Sequence, residues 1–138
     1  MTDRPGELHL ELSSDPAMLA GSRHQVEAFA TSQGFGEVAT GDVGLCVNEA
    51  LANVIRHAYG SQPDRPIRLD AKIEDQALMI LIRDWGNGRV PDMRRPPPDP
   101  NALHPGGLGL PCLRQLLDGI EFIPQPDGML LKMIRRRR

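Results

Sequence analysis

Cysteine is scarce in this 138-residue chain, and no apolar run is long enough to cross a membrane. The two cysteines, Cys46 and Cys112, fit no metal-ligand spacing, so we interpret them as small core residues in a reducing compartment. A membrane-spanning helix needs roughly 18 consecutive apolar residues, and residues 1–8 lack the basic-then-apolar order of a signal peptide. We therefore expect a soluble, cytoplasmic protein with no membrane partner.

An excess of positive charge is also lacking. The chain has 16 basic and 18 acidic residues, and four of the basic residues form the terminal run 135–138. Residues 1–134 therefore carry 12 basic against 18 acidic residues, a net charge of −6. An acidic body argues against direct binding of nucleic acid. We interpret residues 135–138 as a solvated basic tail, with binding of an acidic partner or RNA as the alternative.

The remaining composition is that of a globular domain, with 40% hydrophobic and 25% charged residues. We expect one domain over residues 1–138, because a chain of this length can bury about two-thirds of its unfolded surface. Strict alternation of polar and apolar residues predicts strands, as does a continuous apolar run that ends before Arg83. The predicted strands cover residues 7–12, 67–73, 77–82, 120–123 and 129–134.

Helices and one long loop are predicted between the strands. Asp15 followed by Pro16 is typical of a helix start, and six prolines within residues 89–105 exclude regular structure there. This element order favours an α+β fold, a two-layer α/β sandwich whose mixed, mostly antiparallel sheet carries helices on one face. The predicted helices cover about residues 16–33, 38–59 and 110–117.

Two polar side chains on the second predicted helix suggest chemistry. On a regular helix Glu49 and Asn53 lie one turn apart, at the border of the apolar face, and His57 follows one turn later. An amide oxygen can bind a hard cation such as Mg²⁺, and a carboxylate can orient or deprotonate a nucleophile. A structural pair on a solvent-facing helix is the alternative for these two residues.

Two glycine-containing segments follow. Asp84 comes directly after an apolar strand, where it can accept a hydrogen bond from an amine, and Gly86 and Gly88 would let a flat ring approach the backbone. An Asx turn is the alternative. The segment 106–109 (Gly-Gly-Leu-Gly) precedes a predicted helix, whose free N–H groups favour an anion. Together with the helix, these segments provide the contacts that Mg²⁺-ATP requires.

These motifs resemble those of a known family. Residues 48–59, with the form Asn-x-x-x-His-Ala-Tyr from Asn53, look like the N box of the gyrase and histidine-kinase (GHKL) ATPase superfamily. Residues 84–88 look like its first glycine box, and residues 106–110 look like its second. Within that superfamily, the chain is similar to the anti-sigma-factor serine kinases of bacterial stress and sporulation switches.

The resemblance implies a role for each motif residue. Asn53 would coordinate Mg²⁺, Glu49 would be the catalytic base that activates a serine hydroxyl, and Asp84 would bind the adenine amino group. Residues 89–105 would form the ATP lid. The other residues implied to bind the nucleotide are His57, Gly86, Gly88, Gly106, Gly107, Leu108 and Gly109.

The resemblance also implies partners. A kinase of this family would sequester a sigma factor and phosphorylate a serine on a STAS-domain antagonist protein, and it would form a homodimer. Arg23, in the first predicted helix, matches an arginine on the family's partner-binding surface, although a solvated helix charge is the alternative.

Two features depart from the family pattern. Met129 follows the glycine of the last hairpin, where the family usually has a small hydroxyl residue, and this change could weaken adenine binding. The lid is also unusually rich in proline, which could alter how it closes.

Two further functions stay open on sequence alone. The first is a nucleotide-responsive binding module without kinase activity, which would regulate a partner such as a phosphatase by contact. The second is a detached ATPase domain that acts on the phospho-acceptor histidine of another protein. Residues that bind ATP do not distinguish these functions from a serine kinase.

Overall fold

The computed structural model describes residues 6–90 and 113–137. Its strands form one five-stranded sheet in the order β1-β2-β3-β5-β4, in which each neighbouring pair is antiparallel. The predicted α+β class is confirmed. The strands are β1 (Glu7–Ser13), β2 (Pro66–Glu74), β3 (Ala77–Asp84), β4 (Gly119–Gln125) and β5 (Gly128–Arg136).

The helical elements lie between β1 and β2 and before β4. The side chain of Asp15 caps the first of them, accepting a hydrogen bond from the Ala17 N–H at 2.9 Å. Among the described residues, no helix is both long and apolar enough to span a membrane. The elements are a 3₁₀ turn (Pro16–Met18), α1 (Leu19–Ser32), α2 (Glu37–Asn53), a π-helical turn (Val54–Ala58) and α3 (Leu113–Leu116).

One face of the sheet packs against the helices and forms the core. Alternate residues of β2, such as Leu69 and Ala71, are at most 1% exposed, because side chains along a strand alternate between its two faces. They share one apolar cluster with Val26 of α1 and with Val43 and Val47 of α2. Burial on one face only explains the strict alternation in the sequence of β1 and β2, and it produces the predicted two-layer sandwich.

The second predicted helix does not continue regularly to residue 59. Helix α2 ends at Asn53, and the chain then forms the wider π-helical turn Val54–Ala58. The Tyr59 N–H donates to the Val54 carbonyl at 3.0 Å, a bond to the fifth residue back rather than the fourth. The prediction that His57 follows Asn53 by one turn of a regular helix was therefore wrong, because the turn after Asn53 is wider than an α-helical turn.

The interpretation of the terminal arginines as a solvated tail was wrong for Arg135, whereas Arg136 and Arg137 are exposed residues. Strand β5 continues to Arg136, which pairs with Ala77, the first residue of β3.

Arg135 points to the helical face, where it forms a 3.0 Å ion pair with Asp42 and donates to the Leu116 carbonyl at 2.8 Å. The next guanidinium, that of Arg137, lies 4.8 Å from the centre of the Phe35 ring. Because side chains alternate along β5, the strand directs Arg135 to the helical face and to Asp42. Arg138 lies outside the described residues.

Other predicted segments are described only in part. Most of the predicted lid (89–105) and all of the glycine segment 106–109 lie outside the described residues, as does Cys112. Of the predicted helix 110–117, the described part is α3. Cys46 is fully buried, and burial raises the pKa of its thiol to about 12, which is consistent with a core residue.

The ion pair of Arg135 should contribute measurably to stability. The side chains of Arg135 and Asp42 are only 17% and 21% exposed, so water replaces their interaction poorly. We expect Arg135→Ala to lower the free energy of unfolding by about 1.5–3 kcal/mol, as for other hydrogen bonds to charged groups. Urea denaturation measures this change. The exposed neighbour provides a matched control, because Arg136→Ala should change stability by less than about 0.5 kcal/mol. Equal effects of the two substitutions would contradict the assignment.

Candidate nucleotide site

Helix α2 places Glu49 and Asn53 one turn apart, near its C-terminal end. Glu49 is only 3% exposed, which is deeper than the border position predicted from the sequence. Asn53 is half-buried and is the last residue of the helix. The apolar positions of the helix pack on the sheet, which fixes this polar pair at one end of the core. Two oxygen-bearing side chains therefore lie on a rigid element at the edge of the domain.

The π-helical turn after Asn53 gives the helix an unusual end. Such turns are rare, and they are often found at functional sites. The side chain of His57 is exposed, whereas Val54 and Ile55 of the same turn are buried. At the end of a helix the last carbonyl groups have no partner within the helix. These carbonyl groups are available to a neighbouring segment.

Asp84 is the last residue of β3, and it lies on the face of the sheet that packs against the helices. Its side chain is 3% exposed, and one carboxylate oxygen accepts the Gly86 N–H at 2.9 Å. The Asx turn considered as an alternative is therefore present. A carboxylate has about four lone-pair positions, so this hydrogen bond leaves acceptor capacity for a ligand. The turn and a role in binding an amine are compatible.

Burial raises the pKa of the Asp84 carboxyl above its ordinary value of 3.8. Loss of hydration is the largest cause, and it is opposed by hydrogen bonds from the Gly86 and Met129 backbones and by the charge of Arg83. A buried carboxylate lowers stability because dehydration disfavours its charged form. This combination of burial and a strand-end position marks Asp84 as a functional candidate.

The loop after Asp84 runs antiparallel along the end of the helix. The Trp85 N–H donates to the Tyr59 hydroxyl at 2.8 Å, and the Asn87 side chain donates to the His57 carbonyl at 2.9 Å. Between these bonds, a Cβ at Gly86 would lie 2.5 Å from the Ala58 carbonyl oxygen, too close for any side chain. We call this contact between residues 85–87 and residues 57–59 the loop–helix contact.

The turn between β4 and β5 lies beside the same loop. Gly128 has a φ of +149°, and a Cβ there would lie 2.1 Å from the Asp84 carbonyl oxygen, so glycine is required. Met129 pairs with Asp84 across the two strands and is 5% exposed. Its side chain therefore occupies the helical face next to the carboxylate, at the position where the sequence departs from the family pattern.

The structure brings together two of the three predicted motifs. The loop–helix contact joins the segment that contains Asp84, Gly86 and Gly88 to the turn that follows Asn53. Arg23 is a half-buried residue of α1. The remaining predicted residues, Gly106, Gly107, Leu108 and Gly109, lie outside the described residues, so their roles stay predictions.

Sequence reasoning assigned no role to Tyr59 or Asn87. Tyr59 is 8% exposed, and its hydroxyl also donates to the Pro66 carbonyl at 2.5 Å. Asn87 uses both ends of its amide, because its oxygen accepts the Arg89 N–H at 2.9 Å. Tyr59 is the single tyrosine of the chain and follows an apolar helix. A tyrosine at such a position is often buried with its hydroxyl hydrogen-bonded, and this was the only signal in the sequence.

The residues present are compatible with a magnesium ion that arrives with its nucleotide. Within residues 6–90 and 113–137, no three His, Cys, Asp or Glu side chains form a group that could hold a metal ion by themselves. Magnesium bound to ATP usually takes only one or two protein oxygen atoms, with water and phosphates as the other ligands. The half-buried amide of Asn53, beside the carboxylate of Glu49, fits such a limited donor set.

Comparisons with known proteins agree with this geometry. The sequence model of the histidine kinase-like ATPase domain family matches residues 12–135. The serine-protein kinase RsbW of Listeria innocua is 25% identical over 123 residues, which cover 84% of this chain and 78% of that protein. The anti-sigma F factor of Oceanobacillus iheyensis is 26% identical over 124 residues, covering 88% of this chain and 85% of that protein.

Solved structures share the fold. The RsbU and RsbW domains of Rv1364c from Mycobacterium tuberculosis match with a TM-score of 0.71 at 16% identity, covering 94% of this chain. A histidine kinase domain from Erythrobacter litoralis matches with a TM-score of 0.54 at 18% identity, covering 88%. The chain spans only 31% and 60% of those two structures, respectively. At these identities the similarity establishes the fold.

A side chain at position 86 should separate the loop from the helix. The Ala58 carbonyl is backbone and cannot move aside as a side chain would, so Gly86→Ala should lower the free energy of unfolding by about 1–3 kcal/mol. Fluorescence of the single tryptophan, Trp85, should report the displacement during the same denaturation experiment. As a control, Gly41→Ala on the open surface of α2 should raise stability by about 0.5–1 kcal/mol. Equal behaviour of the two variants would contradict the close approach.

The burial of Asp84 should make stability depend on pH. Because its pKa is raised in the folded state, the folded protein holds this proton to higher pH than the unfolded chain does. The resulting stability is present below pH 3.8 and is lost as the pH rises through the folded-state pKa. We therefore expect Asp84→Asn to be more stable than the wild type at pH 7, with the difference shrinking in acid. Denaturation at several pH values measures it, and a less stable variant at pH 7 would contradict this assignment.

Proposed function

Since the chain belongs to the histidine kinase-like ATPase family, we propose that it is an ATP-dependent protein-serine kinase that acts as an anti-sigma factor. Its substrate would be a STAS-type antagonist protein. One observation carries the proposal: the buried Asp84 and the Glu49–Asn53 pair lie on two segments that the loop–helix contact holds together. One nucleotide could then contact both segments, with its base at Asp84 and its phosphates near Asn53.

In this proposal each described residue contributes a separate function. The Asp84 carboxylate accepts a hydrogen bond from the exocyclic amine of adenine, which distinguishes that base from one with a carbonyl at the same position. The Asn53 amide oxygen would hold Mg²⁺, which would supply positive charge beside the phosphates during transfer. The loop–helix contact keeps these two side chains on segments that are held together. The residues thereby orient the nucleotide before the substrate protein arrives.

Glu49 is the proposed general base. It lies one helical turn before Asn53, and removal of the serine proton in the transition state would let the hydroxyl oxygen attack the γ-phosphorus as ADP leaves. The Glu49 carboxylate can accept this proton, whereas the amide of a glutamine at the same position has no comparable basicity. Its burial in α2 restricts its side chain to few orientations. Glu49 is therefore expected to affect turnover more than binding.

The proposed partners follow from the names of the relatives. The curated relatives that match this chain include serine-protein kinases named RsbW and proteins named anti-sigma F factor. Partners of the same kind, a sigma factor and its STAS-domain antagonist, would bind the surface of this chain. The half-buried Arg23 of α1 is the residue we propose for that surface. A homodimer and a cytoplasmic location belong to the same proposal.

The first experiment measures phosphate transfer. Purified protein with Mg²⁺ and γ-labelled ATP should transfer label to a purified STAS-domain antagonist protein, and Glu49→Gln should reduce the rate by about 10²–10⁴-fold, the usual contribution of a general base. The affinity for ATP should stay within about twofold, because Glu49 is not proposed to hold the nucleotide. Full transfer by the variant would exclude Glu49 as the base.

A second measurement distinguishes the kinase from a binding module. Asn53→Ala should reduce both the affinity for Mg²⁺-ATP and the rate of transfer, whereas the matched substitution Asn48→Ala, on the preceding turn, should leave both unchanged. If the wild type binds ATP and captures a partner but transfers no phosphate, the non-catalytic module is the better description. If it does not bind nucleotide at all, both descriptions fail.

A further inference from the structure

We propose that Tyr59 and Asn87 are positioning residues that hold the base-binding and phosphate-binding parts of the site together. This inference rests on the proposed function, since it concerns the same nucleotide. Neither residue belongs to the set proposed above to contact ATP or its metal ion. Both act through the loop–helix contact, in which residues 85–87 lie against residues 57–59.

The Tyr59 hydroxyl connects three segments of the chain. It donates to the Pro66 carbonyl at the start of β2 and accepts the Trp85 N–H at the start of the loop, and Tyr59 itself ends the helical segment. Its ring is buried, so the hydroxyl has few other conformations. A buried tyrosine hydroxyl that uses both its donor and an acceptor position fixes the groups around it. The first residue after Asp84 is thereby fixed relative to the helix.

Asn87 provides the second bond, two residues further along the loop. Its amide nitrogen donates to the His57 carbonyl, one of the groups left without a partner where a helix ends. Its amide oxygen closes the loop by accepting the Arg89 N–H. The same side chain therefore gives the loop its own shape and attaches that shape to the helix.

The order of these contacts couples the two halves of the site. The paired residues are 85 with 59, 86 with 58 and 87 with 57, so the loop follows the last helical turn in the opposite direction. Asp84 immediately precedes the loop, and Asn53 immediately precedes the π-helical turn. A movement of the backbone at Asp84 relative to the backbone at Asn53 would strain or break these contacts.

This coupling predicts a specific energetic role. If the loop–helix contact is intact, a base held at Asp84 presents its phosphates to Asn53 at a high effective concentration. If the loop–helix contact is loosened, Asp84 can still bind the base and Asn53 can still bind the Mg²⁺-phosphate part. Binding of the base then no longer gives the phosphates a high effective concentration at Asn53. Adenosine, which lacks phosphates, requires only the Asp84 half and should respond little.

The test compares adenosine with Mg²⁺-ATP in the full chain. Isothermal titration calorimetry gives both dissociation constants for the wild type, for Tyr59→Phe and for Asn87→Ala. Each variant loses one hydrogen bond across the loop–helix contact, so we expect the preference for Mg²⁺-ATP over adenosine to fall about fivefold, with adenosine binding changed by less than about twofold. Gln25→Ala, which shortens an exposed amide on α1, should retain the full preference.

A spectroscopic measurement separates positioning from general destabilisation. Hydrogen exchange should show that the Trp85 amide loses protection in Tyr59→Phe while core amides of β3 keep theirs. Asn87 is exposed, so Asn87→Ala keeps the test valid even if the buried Tyr59 variant folds poorly. An unchanged ligand preference in Asn87→Ala would overturn the inference and leave the proposed function intact. Failure of the wild type to bind either ligand would overturn both.

Discussion

The close approach between the backbone at Gly86 and the end of the helical segment is the contact on which the candidate site depends. A loop after a strand is weakly determined by itself, and residues 85–90 contain no buried apolar side chain. Here a position without a side chain lets the loop backbone approach the Ala58 carbonyl, and hydrogen bonds from Trp85 and Asn87 flank that approach. The two functional segments consequently become one structural unit.

The core ends where the chemistry begins. The helical face of β3 is apolar through Ile80 and Ile82, and the next residue on that face is the buried carboxylate of Asp84. Asn53 ends α2 beside the same core, which continues past it through the buried Val54 and Ile55. Two elements that pack together through their apolar residues therefore place their polar ends side by side. Met129 adds a buried apolar side chain beside Asp84.

Regular elements could be predicted from the sequence because their residues follow the period of the structure they form. Residues 7–12 alternate because one side of β1 is buried and the other is not, and Asp15 caps its own helix through a local hydrogen bond. The motif residues Glu49, Asn53 and Asp84 could be selected because carboxylates and amides at the ends of apolar elements are unusual. Their proposed roles came from resemblance to a family and not from periodicity.

Three features could not be predicted from the sequence pattern. The π-helical turn differs from a regular helix by one residue per hydrogen bond, a difference too small to appear in the apolar pattern of residues 54–58. Arg135 is indistinguishable from a tail residue until β5 pairs with β3 and directs it to Asp42. The hydroxyl of Tyr59 and the amide of Asn87 acquire partners only when the loop and the helix meet.

The sequence alone thus determined the fold class, the main elements and the candidate site residues, since these follow from local pattern and residue type. Tertiary structure alone decided how the two motifs are joined, because hydrogen bonds between residues far apart in the chain leave no periodic signal.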